Sequence, residues 1–388
     1  MSTKKRYLKG NGDIMKNGIW RVLLVILIVL TIIFGTLFVI DTNRMKNNKP
    51  VVFSTWGKKY TAPGISADKM NVVLSLEDKI GDNTVWCGTF NLIWNDLKNE
   101  LAKRDIEFTP QLDVVSNLNK GTFNTEYLSE DSYYKVYGKP TIELKNQIEK
   151  EIKRKFNETS DILNDFNWGN TAENDYFLYS MLKKEFEFPK VFDRLENERF
   201  KDWENVKYFG ISKKTSKQVR EQVKVLYYNS KDDFAIKLLT KSNDEVIISR
   251  GNKATTFGEI YAEIKENNVN FKGNKNIEED EIVKIPNIDF KLKKEFEEIE
   301  NKSFLFASGE EYAIEKAVQT IEFSLDEKGG RIKSEAGMMN KALALFPDEK
   351  PREFLVNDTF CIFLKEKDKE LPYFAAKISD ITQVQIVI

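Results

Sequence analysis

The chain has 388 residues, 41% apolar and 31% charged, enough for one large domain or two small ones. Its 60 basic and 61 acidic side chains nearly cancel, and no segment beyond residue 50 gathers Lys and Arg without matching Asp and Glu, which excludes a phosphate-tracking surface for nucleic acid. Histidine is absent, so every His-based triad, general base and metal site is excluded too.

The first strong signal is Val22–Ile40, an uncharged apolar run long enough to cross a bilayer as a helix. The polar DTNRMKNN stretch behind it carries no small-residue cleavage motif, so we read an uncleaved anchor. Lys4, Lys5, Arg6, Lys9, Lys16 and Arg21 precede the span, against Arg44, Lys46 and Lys49 behind it, which orients the N-terminus to the cytoplasm. The expected organisation is a cytoplasmic tail over residues 1–18, a transmembrane helix in the lipid bilayer over 19–40, a polar stalk over 41–75 and one extracytoplasmic domain over 76–388. That makes a single-pass protein of the cell membrane. Cys87 and Cys361 then lie in oxidising space, where they can form one disulfide; the apolar run around Cys361 suits a buried free thiol equally well.

Trp86, Phe90, Ile93, Trp94, Leu97 and Leu101 recur at helical spacing and predict a helix with one core-facing stripe. Leu144, Ile148, Ile152 and Phe156 predict a second, and the capping-box pair Thr256 and Glu259 opens a third. The runs VKVLYYN, FAIKLLT and EVIISRG, separated by SKDD and KSND turns, predict three strands. The acidic NIEEDE stretch lacks the ligand spacing of a calcium loop and reads as a solvated turn before the strand IVKIPNIDF. KAVQTIEFSLDE reads as one long strand, and the final segments form a hairpin around EKDKE. FCIFL is apolar on both faces, which predicts a central, doubly covered strand. Early helices and late antiparallel strands give an α+β class. No metal or cofactor set stands out, nor an Asp/Glu pair in a catalytic context, and the chain does not read as an enzyme.

The C-terminal part resembles the serpins, on several motifs in order. TIEFSLDEKGG looks like their long central strand running into the reactive-loop hinge, with Glu327, Gly329 and Gly330 at the hinge. FLVNDTFCIFLKEKDKELPYFAAKI looks like their closing hairpin, keeping Asp358 and Phe360 but with Thr359 where a proline is usual. VKIPNIDFKLKKEF and FLYSMLKKEFEFPKVFD are similar to further family strands, with Phe186 replacing a usual tryptophan. The match runs best over residues 176–388; residues 104–175 are shorter than in a full serpin.

The resemblance implies a fold of large, mainly antiparallel sheets and a mechanism of strain release. A protease cuts an exposed loop, and the freed segment inserts as a new strand while the protease is still acylated to it. Insertion requires a bendable start and a period-2 split of side chains. Ile332, Ser334, Ala336 and Met338 form the inserting face, while Arg331, Lys333 and Glu335 alternate with them. Counting from the hinge as the family does places the scissile bond at Leu343–Ala344, with Phe346 a few residues later. The expected partner is a secreted or surface protease with an apolar specificity pocket. A non-inhibitory cell-surface binding or structural module is the alternative, favoured by the bulk of RIKSE just past the hinge.

Overall fold

A computed structural model of the chain describes residues 65–66, 69–160, 162–169, 175–330 and 351–386. The expected tail, transmembrane helix and most of the stalk lie outside these residues. Among the described ones no helix is long and apolar enough to cross a membrane.

The largest sheet has seven strands: β11 (Val223–Ser230), β12 (Asp233–Leu239), β13 (Asp244–Arg250), β21 (Phe360–Glu366), β22 (Phe374–Ile378), β3 (Thr84–Cys87) and β2 (Asn71–Val72), in that spatial order. Phe360–Leu364 are buried without alternation because β21 is the middle strand. A four-stranded sheet has the order β20 (Glu353–Leu355), β14 (Ile282–Pro286), β10 (Tyr208–Ile211) and β7 (Asp193–Arg194). A three-stranded sheet holds β1 (Ile65–Ser66), β15 (Ile288–Glu295) and β18 (Val318–Leu325), and a two-stranded one holds β4 (Tyr133–Gly138) and β5 (Phe177–Leu182). A two-residue ladder joins β6 (Phe186–Glu187) to β19 (Gly329–Gly330), and β8 (Glu198–Phe200) with β9 (Trp203–Val206) and β16 (Ser303–Leu305) with β17 (Glu311–Ala313) are local hairpins. The α-helices are α1 (Thr89–Asp96), α2 (Asp113–Asn119), α3 (Ile142–Phe156), α4 (Lys217–Arg220) and α5 (Phe257–Asn270). Most ladders are antiparallel, and β1–β15, β2–β3 and β14–β20 are parallel. The class is α+β.

α3 forms where its apolar residues fall four apart: Leu144, Ile148, Ile152 and Phe156 are its buried stripe. Thr141 caps it by accepting from Leu144 N, Lys153–Lys155 fill its last turn, and Asn157 ends it at φ 54°. The stripe packs on Phe177 and Tyr179 of β5, separately from the main core. Thr256 caps α5 through its hydroxyl, which accepts from Glu259 N at 3.1 Å. The Glu259 carboxylate returns to Thr255 N at 3.3 Å, one residue before the cap.

Several expectations are corrected. Trp86 belongs to β3, fully buried beside Val85, and the helix starts only at Thr89 after Gly88 breaks the strand. IVKIPNIDF is two strands in different sheets, divided at Asn287 just after Pro286, a residue confined to strand ends because it cannot donate to a ladder. Met70 and Val72–Leu74, assigned to the stalk, are buried in the core, and β1 and β2 pair in sheets. The domain therefore begins before residue 76. The Cys87–Cys361 disulfide is not formed; both thiols are free. Cys361 lies opposite Lys377 on β22, and Lys377 opposite Thr84 on β3, so the cysteines are two strands and three residues apart. Two strand spacings are about 10 Å, beyond the roughly 7 Å Cα separation that a disulfide spans.

Candidate functional site

The most unusual feature is a missing ladder. β18 pairs with β15 on one edge and β5 pairs with β4 on one edge, but among the described residues no ladder joins β18 to β5. Among the described residues each strand thus has one edge without a ladder, a ready template for another strand. Both half-sheets are tied to the first residue of α1. Ser180 of β5 donates its hydroxyl to the Thr89 carbonyl at 2.7 Å. Gln319 of β18 donates its amide to the Thr89 hydroxyl at 2.6 Å and to the Cys87 carbonyl at 3.1 Å. A third tie comes from the turn after α3, where Asp165 meets Lys293 of β15 at 2.5 Å. Phe166 and Trp168 of the same turn pack edge-on against Phe177 of β5, 4.9 and 4.7 Å away. That segment therefore spans from one half-sheet to the other.

Glu327, Gly329 and Gly330, the residues expected at a hinge, follow the end of β18. After Leu325 the chain reverses tightly: Asp326 N donates to the Gly329 carbonyl at 3.1 Å, and Gly329 N donates back to the Asp326 carbonyl at 3.3 Å. Gly329 then lies opposite Glu187 and Gly330 opposite Phe186. Only glycine fits at 329, where φ is +135° and a Cβ would come 2.2 Å from the Phe186 carbonyl oxygen. A Cβ on Gly330 would meet the Phe186 ring at 2.9 Å, so the phenylalanine in the usual tryptophan position packs directly on the hinge. Glu327 is buried beneath the turn; Arg194 of β7, largely exposed, donates to it at 2.7 Å through Nε and 2.6 Å through Nη2. That hydrogen bond holds the guanidinium above its ordinary range. The Glu327 and Lys328 carbonyls accept from Phe192 N and Phe188 N at 2.8 and 2.9 Å.

Just past β5 lies a buried ionic cluster. Lys184, between β5 and β6, pairs with Glu366 of β21 at 2.6 Å and with Asp244 of β13 at 3.0 Å. Glu366 also accepts from Ser129 N at 3.0 Å and the Ser129 hydroxyl at 2.5 Å, and Tyr373 donates to Asp244 at 3.1 Å. Burial alone would raise the Glu366 carboxyl, but hydrogen bonds from Lys184 and Ser129 outweigh it and hold the group below its ordinary range. Burial and the Asp244 charge push the Tyr373 phenol well up.

A second arginine–glutamate pair follows residue 350. Arg352 donates to both oxygens of Glu281, at 2.5 and 3.0 Å, and to the Asn274 and Asn276 carbonyls. β20 begins directly after it, parallel to β14. Glu281 belongs to the acidic stretch expected to be a solvated turn, yet it is buried with Arg352 bidentate upon it. Among the described residues no group of three or more potential metal ligands occurs.

The inserting-face residues Ile332, Ser334, Ala336 and Met338, and the bond Leu343–Ala344, lie outside the described residues. What the structure brings together is Glu327, Gly329 and Gly330 with Phe186 and Arg194, at the mouth of the seam. Sequence reading missed Arg194, Lys184, Arg352, Thr89, Ser180 and Gln319. The only local trace was Arg352 flanking the strand it anchors; the other pairings are long-range and leave none.

No family model matches the chain, and no curated protein matches it. In structure it is similar to a thyroxine-binding globulin in complex with thyroxine, at 12% identity and a TM-score of 0.41, covering 77% of this chain and 93% of that one. It is also similar to Serpin48, a highly specific serpin of the insect Tenebrio molitor, at 14% identity and a TM-score of 0.36, covering 77% of this chain and 74% of that one.

Proposed function

We propose that this chain is a serpin-like inhibitor of secreted or surface proteases, held at the cell membrane by residues 19–40, that acts by strand insertion rather than as an enzyme. The observation that carries the reading is the unpaired seam with Gly329 and Gly330 already lodged at its mouth. Continuing the Gly329–Glu187 register down β5 sets Ser334, Ala336 and Met338 opposite Leu182, Ser180 and Leu178. Leu182 and Leu178 face the main core, whereas Phe177, Tyr179 and Met181 face α3. Continuing the Asp326–Gly329 bridge down β18 sets Ile332, Ser334 and Ala336 opposite Phe323, Ile321 and Gln319, all buried. Both registers, extended from Gly329, would send the same face inward on insertion. On insertion in these registers Lys333 would fall between Lys183 and exposed Glu322, and Arg331 opposite Glu185.

The test is proteolysis of the 331–350 segment by a protease that prefers apolar residues at the cut, followed by melting curves and denaturing gels. Inhibition by insertion gives a higher Tm after cleavage and a complex that survives denaturation. Cleavage with neither outcome removes the proposal.

The non-inhibitory scaffold is the second reading, favoured by the bulk of Ile332 and Lys333 directly after the hinge. Slow entry lets a protease hydrolyse its acyl link and leave. Substituting both by alanine raises complex yield in an inhibitor and changes nothing in a scaffold.

A further inference from the structure

Away from the seam, four strands of the large sheet carry charged side chains in one row. Lys224 of β11 lies directly opposite Lys237 of β12, and Glu245 of β13 lies directly opposite Lys365 of β21. Lys237 faces Ile247, two residues from Glu245 on the same face, so its ammonium reaches that carboxylate at 2.8 Å. Lys365 reaches it at 3.5 Å. Two ammonium groups, those of Lys237 and Lys365, therefore share one buried carboxylate.

Such a row is costly. Like charges directly opposite in a sheet repel, and these are not fully solvated: the side chains of Lys237, Lys365 and Glu245 are 25%, 12% and 10% exposed. Lys365 spends its donors on the carbonyls of Glu366, Lys367 and Lys369 at 2.7 to 2.9 Å. Among the described residues Lys237 has Glu245 alone, and Lys224 only the Asn276 side-chain oxygen at 2.9 Å. An ammonium carries three donors, so the facing pair keeps unused capacity. Burial pushes the Lys224 and Lys365 ammonium groups down, and the Lys237 charge adds to both shifts. Glu221 acts on Lys224, and Asp368 on Lys365, only through space.

We propose that the Lys224–Lys237 pair binds a small oxyanion of the phosphate class, which supplies the acceptors and the negative charge that the row lacks. The anion bridges the two ammonium groups, with Glu245, itself paired to Lys365, holding Lys237 from the far side.

The test is calorimetric titration of the full chain with inorganic phosphate at constant ionic strength, paired with melting curves in phosphate and chloride. The expected result is saturable binding and a Tm rise that saturates with it, unlike the unsaturable rise from general salt exclusion. Lys237→Met should weaken phosphate binding at least roughly tenfold, with a phosphate-free Tm lowered by loss of the Glu245 pair. Lys224→Met should weaken binding alike and decides the matter if the first variant does not fold; Lys150→Met on α3 should bind as the parent does. Absence of saturable binding, or binding untouched by both Lys224→Met and Lys237→Met, overturns the proposal.

Discussion

Replacing Lys184 by methionine probes the joint between β5 and β6 most sharply. Its ammonium group lies 2.6 Å from Glu366 and 3.0 Å from Asp244, and both carboxylates are buried. Methionine keeps most of the stem's volume but leaves two buried acids without a cation, a loss of about 3–5 kcal/mol. At roughly 2 °C per kcal/mol for a domain of this size, Tm should fall by about 6–10 °C. The pH dependence carries the diagnostic weight. Glu366 titrates below its ordinary value of 4.5 in the folded protein, so its contribution is present above that value and lost as pH falls through the lower folded one. The gap between parent and variant, read by chemical denaturation, should therefore be widest near neutrality and narrow on acidification. Adding Glu366→Gln to Lys184→Met should recover part of the loss. A neutral-pH loss under about 1 kcal/mol, within the range of a surface pair, would refute the reasoning, as would a gap that does not change with pH.

Gly329→Ala places a Cβ 2.2 Å from the Phe186 carbonyl at positive φ, a strain of about 1–3 kcal/mol that the two-residue β6–β19 ladder cannot absorb. Hydrogen exchange at Phe188 N and Phe192 N, which donate to the turn, should speed at least roughly tenfold; unchanged rates would mean the turn is not held by this pairing. The Cys361 thiol is pushed up to about 12 by burial and Cys87 is raised for the same reason, so neither should be alkylated in the folded protein at neutral pH. Mass spectrometry after denaturation under alkylating conditions should find both modified, and a linked pair would contradict the strand geometry.

Strand existence was legible in the sequence because β-rich runs bounded by turn residues are a local property, and VKVLYYN, FAIKLLT and EVIISRG became neighbouring strands. Strand partnership was not. Nothing in FLYSML or VQTIEFSL indicates that no ladder joins them among the described residues, because pairing depends on residues far apart in the chain. Trp86 misled for a related reason: it stands four residues before Phe90 by coincidence, across a glycine where the strand gives way to the helix. Glu281 misled because an acidic run looks solvated until the arginine that neutralises it is brought in from 71 residues further along the chain.

The two arginine–glutamate pairs bear on how residues 331–350 could act. Glu327 is held by Arg194 before the segment and Arg352 by Glu281 after it, and in each pair the glutamate is the buried partner. They differ in what surrounds them. Arg194 is 75% exposed and grips one oxygen of its glutamate, whereas Arg352 is 16% exposed, bidentate, and bonded to two further carbonyls. An exposed contact is screened and a desolvated bidentate one is not. The hinge end is therefore the weaker anchor, and it is the end that opens into the seam. Under the proposed insertion, movement would start at Gly329 and leave β20 in place.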